Sequence, residues 1–147
     1  MSKENLEDHT IKTLKLEAEM DELPGVSDFV KRALLEIGCS EKMCKQIDIV
    51  VEEIFVNIVS YAYPGDAAEK PVLVECGRKD HCAYLTFHDN GVQYNPLEKE
   101  DPATDVAEKM TIGGYGIFMV KNIMDEIEYR YVYENGENIL RMWKKID

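Results

Sequence analysis

Positive charge is scarce in this chain. Seventeen Lys and Arg stand against 29 Asp and Glu, a formal net charge of −12. Gripping nucleic acid through its phosphates needs clustered basic side chains, so this balance argues against direct nucleic-acid binding. Any polyanionic ligand must be held by local devices such as backbone amides, a helix start or a metal ion. Metal-ligand spacing is lacking too. Cys39, Cys44, Cys76 and Cys82 form no Cys-x-x-Cys pair, and His9, His81 and His88 fall at no zinc-like interval. Reduced, mostly buried thiols are expected. No run is long and apolar enough to span a membrane, and the charged N-terminal stretch has no signal-peptide core. The expectation is a soluble, cytoplasmic protein that makes no membrane contact. Internal repeats and low-complexity segments are absent as well.

What is present suits a globular domain. Apolar residues make up 45% and charged residues 31% of the 147, enough for one compact domain with its own core. Residues 1–8 read as a frayed, acidic lead-in to a single domain over 1–147. From His9 to Met20 apolar and charged residues alternate, which predicts a half-buried strand. Leu23-Pro24-Gly25 breaks it. Ser27 or Asp28 then caps a helix that ends at Gly38. A second helix is predicted from about Ser40 to Tyr63, stopped by Pro64-Gly65. Val72–Cys76 and Cys82–His88 read as strands joined by a hairpin through Arg78-Lys79-Asp80. The stretch from Asn90 to Gly114 is loop-like, with one weak helical piece from Asp105 to Met110; a loop that long is more often functional than accidental. Tyr115–Met124 has helical spacing. Glu126–Tyr133 and Asn138–Trp143 are the closing strands, turned by Asn135-Gly136. This order predicts a two-layer α/β sandwich, a mixed sheet with helices on one face.

Three segments carry candidate chemistry. In the second helix Glu53 and Asn57 lie one turn apart on one face, a carboxylate beside an amide oxygen in otherwise apolar surroundings. Asp89-Asn90-Gly91 ends a strand: its carboxylate can accept a hydrogen bond from an exocyclic amine, and its glycine lets a flat ring approach. Gly113-Gly114-Tyr115-Gly116 opens a helix, where free backbone amides and the helix N-terminus favour phosphate. Each has an ordinary reading when taken singly. The first is a common helix-surface pair, the second an Asx turn, the third close packing.

Together, Glu53-x-x-x-Asn57, Asp89-x-Gly91 with Tyr94-x-Pro96, and Gly-Gly-x-Gly resemble, in this order, the Bergerat-fold ATPases. These include gyrase, heat-shock chaperone ATPases and sensor histidine kinases. The phrases Asn57-Ile-Val-Ser-Tyr-Ala-Tyr and Gly114-Tyr-Gly-Ile-Phe-Met-Val-Lys-Asn-Ile-Met-Asp125 narrow the likeness to the stand-alone anti-sigma-factor serine/threonine kinases, over nearly the whole chain. The resemblance implies an ATP-binding protein kinase of bacterial transcription regulation. It would bind a sigma factor and phosphorylate a Ser or Thr of an anti-anti-sigma (STAS-type) protein. By position, Asn57 would hold Mg²⁺, Asp89 would receive the adenine amine, and Gly91 would make room for the base. Gly113, Gly114 and Gly116 would cradle the phosphates under a lid formed by the Asn90–Gly114 loop, and Glu53 would be the general base. Glu52, about 100° around the helix, is a bystander. A homodimer is also implied, with the first strand as its pairing edge.

The chain departs from the pattern in two places. No Arg accompanies the glycines, Lys109 being the nearest basic residue, and the last strands carry no Thr. The other reading is therefore an ATP-gated interaction module that transfers no phosphate.

Overall fold

The computed structural model describes residues 10–98 and 116–146. The lead-in at 1–8, the helical piece at 105–110, Lys109, Gly113 and Gly114 lie outside the described residues. Among the described residues, eight regular elements follow in chain order: β1 (Ile11–Glu17), α1 (Leu23–Glu36), α2 (Glu41–Asn57), β2 (Pro71–Lys79), β3 (Cys82–Asp89), α3 (Gly116–Ile123), β4 (Glu126–Val132) and β5 (Glu137–Lys145).

The strands form one five-stranded sheet in the order β1-β2-β3-β5-β4. Each neighbouring pair is antiparallel, so the mixed sheet expected from the sequence is corrected. The physical reason lies in the connections. Hairpins join β2 to β3 and β4 to β5 and can produce only antiparallel neighbours. Between β1 and β2 the chain runs through two helices, and β5 reaches β3 only after turning back from β4. The two layers are as expected. Alternate residues Val72, Val74, Cys76, Ala83, Leu85, Phe87, Leu140 and Met142 share one core with Val30, Leu34, Ile47, Val51, Ile54 and Phe55 of the helices. Fully burying each Val, Leu, Ile, Phe or Met among them contributes roughly 1.5–3 kcal/mol.

Local chemistry sets the element ends, and it moves several of the expected ones. Strand β1 stops at Glu17, short of the expected Met20, which opens a 3-10 turn. Three further shifts bear on the helices and the hairpin. Helix α1 begins at Leu23, ahead of Ser27 and Asp28, and takes Pro24 into its first turn. A proline costs nothing there, because its missing N–H would have no intrahelical partner. Gly38, at φ +95, ends this helix as expected, with Cys39 N–H donating to Leu34 O at 3.0 Å and Gly38 N–H to Leu35 O at 3.1 Å. Ser40 caps α2 by accepting from Met43 N at 3.1 Å. The β2–β3 turn is centred on Asp80 and His81, one residue later than expected, and both have positive φ. That is the two-residue hairpin geometry that matches the strand twist.

The third shift matters most for the site. The α-helical pattern of α2 stops at Asn57, and Ile58–Ala62 form a π-helical turn before Tyr63 turns extended ahead of Pro64. Among the described residues, no helix is long and apolar enough to cross a membrane.

Candidate nucleotide site

A cavity of about 420 Å³ opens between the end of α2, the π turn, the inner ends of β3 and β5, and the loop after β3. Ile54, Ile58, Ala62, Phe87 and Leu140 make its floor apolar, while Asn57, Asp89, Tyr94, Tyr129 and Asn138 bring polar atoms to its walls. A mostly apolar hollow of this size with a few convergent polar groups suits a small flat ligand.

Asp89 is the buried charge of the site, 9% exposed at the end of β3. Its Oδ1 accepts from Gly91 N at 2.9 Å and from Asn138 Nδ2 at 3.0 Å. Its Oδ2 has no partner among the described residues, yet no fully buried side-chain polar atom there lacks one. Oδ2 therefore meets the open space of the cavity, where it can accept a hydrogen bond. Desolvation by burial pushes the carboxyl above the ordinary Asp range, and Glu137 adds to this; the Gly91 and Asn138 donors and His88 oppose it.

Gly91 is required by contact. A Cβ there would stand 2.2 Å from Ala62 O, the carbonyl that accepts from Val92 N at 2.8 Å. The π turn thus presses its last residue against the loop that follows Asp89. Tyr63 reinforces the junction by donating to Pro71 O at 2.5 Å and accepting from Asn90 N at 2.7 Å. Burial raises its phenol to about 12, so it remains a donor at neutral pH.

Asn57 lines the cavity, and its side chain has no hydrogen bond to any described residue, which leaves an amide oxygen available to a hard cation. Among the described residues, no group of three or more His, Cys, Asp or Glu could hold a metal ion by itself. Mg²⁺ carried on a phosphate chain brings oxygen ligands of its own and needs few from the protein.

Glu53 lies one turn back on α2, half-buried, and does not line the cavity. Its carboxylate packs against the first residue of α3. A Cβ at Gly116 would fall 1.6 Å from Glu53 Oε1. Gly116 is buried and brings Glu53 to the mouth of α3, so close packing is one requirement for this glycine. Glu52 is exposed, in keeping with a bystander.

The residues that sequence reasoning missed are Asn138, Tyr129 and the structural part of Tyr63. Asn138 did leave a signal, since it is a polar residue at the start of the strand, in phase with the buried Leu140 and Met142 of β5.

Residues 16–144 match the model of the histidine kinase-like ATPase domain. The chain belongs to that family. Serine-protein kinase RsbW of Listeria monocytogenes is 26% identical over 131 residues, which cover 81% of this chain and 82% of that one. The anti-sigma F factor of Bacillus licheniformis is 28% identical over 95 residues, 64% of each chain. A crystal structure of the RsbU and RsbW domains of a Mycobacterium tuberculosis protein superposes with a TM-score of 0.64 over 93% of this chain, at 14% identity. This chain spans 32% of the length of that one, and the likeness is one of fold. Membership in the histidine kinase-like ATPase family agrees with the Bergerat-type resemblance read from the motifs. It also gives the two-layer fold its place among known architectures.

Proposed function

We propose that this chain is an ATP-dependent serine/threonine protein kinase that binds a sigma factor and phosphorylates an anti-anti-sigma (STAS-type) partner. The observation that carries the reading is Asp89 on the lining of an apolar cavity with its Oδ2 unpartnered among the described residues, beside the amide of Asn57. A purine bearing an exocyclic amine satisfies Oδ2, and the apolar floor accepts its ring. The names of the Listeria and Bacillus relatives support the kinase and anti-sigma parts of the reading.

In this reading Asn57 is the protein ligand of Mg²⁺, which supplies charge neutralisation on the phosphates when bound. Gly113, Gly114 and Gly116 stay the proposed phosphate cradle. Glu53 accepts the proton of the attacking Ser or Thr hydroxyl as its oxygen bonds to the terminal phosphorus and ADP departs. Strand β1 is one of the two edges of the sheet, β4 being the other, and is the proposed pairing edge of a homodimer.

One observation favours the second reading, an ATP-gated interaction module. Among the described residues, no Lys or Arg lines the cavity. Calorimetric titration with ATP, with and without Mg²⁺, tests the shared premise. Purified protein that ignores millimolar Mg-ATP ends both readings. Incubation with γ-labelled Mg-ATP and a candidate STAS-type protein separates them. Label on a Ser or Thr supports the kinase, while unlabelled but ATP-dependent complex formation supports the module.

A further inference from the structure

Asn138 stands opposite Asp89 in the β3–β5 ladder, so their side chains are neighbours on the same face. It is 6% exposed, and its whole hydrogen-bonding capacity is used within the protein. Its Nδ2 donates to Asp89 Oδ1 at 3.0 Å, Val92 O at 3.0 Å and Gly91 O at 3.3 Å. Its Oδ1 accepts from Tyr94 N at 3.2 Å and from the Tyr129 hydroxyl at 2.5 Å. These partners fix the orientation of the amide. Turned over, it would set its oxygen against three acceptors and its NH₂ against an N–H.

One side chain therefore holds the carboxylate, two carbonyls and an amide of the loop that forms the cavity wall. It also rations the carboxylate. Asn138 and Gly91 together occupy Oδ1, so Asp89 offers the cavity a single acceptor in a fixed direction. An acceptor in that place suits the exocyclic amine of adenine and repels the carbonyl oxygen that guanine carries at the same ring position. The amide of Asn138 has nothing left for a ligand.

We infer that Asn138 is a positioning residue that sets the purine selectivity of this cavity by aiming Asp89 Oδ2 and fixing the 91–94 wall. The inference rests on the adenine-nucleotide reading above. With Asn138→Leu, Asp89 loses a donor, and Tyr94 N–H and the Tyr129 hydroxyl lose their acceptor. Losing a hydrogen bond to a charged group corresponds to roughly 10- to 100-fold in affinity.

The test is the pair of dissociation constants for Mg-ATP and Mg-GTP, measured by calorimetry beside thermal melts. Asn138→Leu should weaken ATP by about 10- to 100-fold while narrowing the GTP-to-ATP ratio. Tyr129→Phe removes a single bond to Asn138 and leaves the ring in place. It should move the ratio the same way by less, and it decides the matter if Asn138→Leu does not fold. A lowered melting temperature with the wild-type ratio retained would reduce Asn138 to a structural residue and overturn the inference. So would a wild type that binds ATP and GTP equally. A wild type that binds neither nucleotide overturns the adenine reading itself, a different result from an unchanged ratio.

Discussion

Two carboxylates of this chain sit in unlike surroundings and are assigned unlike tasks. Asp89 is buried and held by two donors, whereas Glu53 is half-buried and carries no hydrogen bond or ion pair among the described residues. In the proposed kinase reading the first recognises the base and the second is the general base. Replacing Glu53 by Gln should leave ATP affinity within a few-fold and slow phosphotransfer by roughly 10²–10⁴, the usual worth of a general base. Single-turnover transfer at wild-type rate would remove it from the mechanism. For Asp89 the sign of the pH effect follows from its raised pKa. The acceptor form exists above that pKa, so ATP affinity should fall with decreasing pH while still above the ordinary Asp range near about 4. Asp89→Asn should bind weakly at every pH and lose that limb. The variant shares the titration of the nucleotide itself, so the difference between the two profiles isolates the carboxyl. Parallel profiles would exclude Asp89 as the base-recognising group.

Between elements the decisive contact is the end of α2 against the loop after β3. A methyl at Gly91 collides with backbone at Ala62, which no side-chain rotation can relieve. Gly91→Ala should cost about 1–3 kcal/mol of stability, the range for overpacking, and at least about tenfold in ATP affinity because the wall shifts. Gly25 in α1 is the control. An added Cβ there meets nothing within 4 Å, and Gly25→Ala should stabilise by about 0.4–1 kcal/mol by restricting the unfolded chain. Urea titrations of the two variants give both signs, and equal effects would argue against the close approach at Gly91.

Across the whole molecule, the core holds several neutral groups that dislike ionising. Burial raises the thiols of Cys39 to about 11 and Cys76 to about 12, and the Tyr63 phenol to about 12. Each folded-state pKa exceeds its unfolded value of 9.0 or 10.0, so the unfolded chain releases these protons first as pH rises. The stability they contribute is complete below about pH 9 and is lost as pH climbs through 11 to 12. Urea midpoints measured from pH 8 to 11 should therefore decline, and Cys76→Val should flatten part of the decline. A level profile would mean that these groups are not buried in the folded state.

Much of this was legible in the sequence because it is local. The alternation of β1, the start of α2 near residue 40, the glycine stop at residue 38 and the turn before Glu137 all depend on neighbours a few positions apart. The Glu53/Asn57 and Asp89/Gly91 pairs were legible for the same reason, since one helical turn or one tight turn holds each together. Other features were decided only when distant segments met. Antiparallel pairing throughout the sheet, the π turn after Asn57 and the seat of Glu53 against Gly116 come from packing across the fold. So does the Asn138–Asp89 bond, which joins residues 49 positions apart. Propensity and periodicity report what a segment prefers by itself, whereas the tertiary fold determines which polar atoms share a buried space and must satisfy one another.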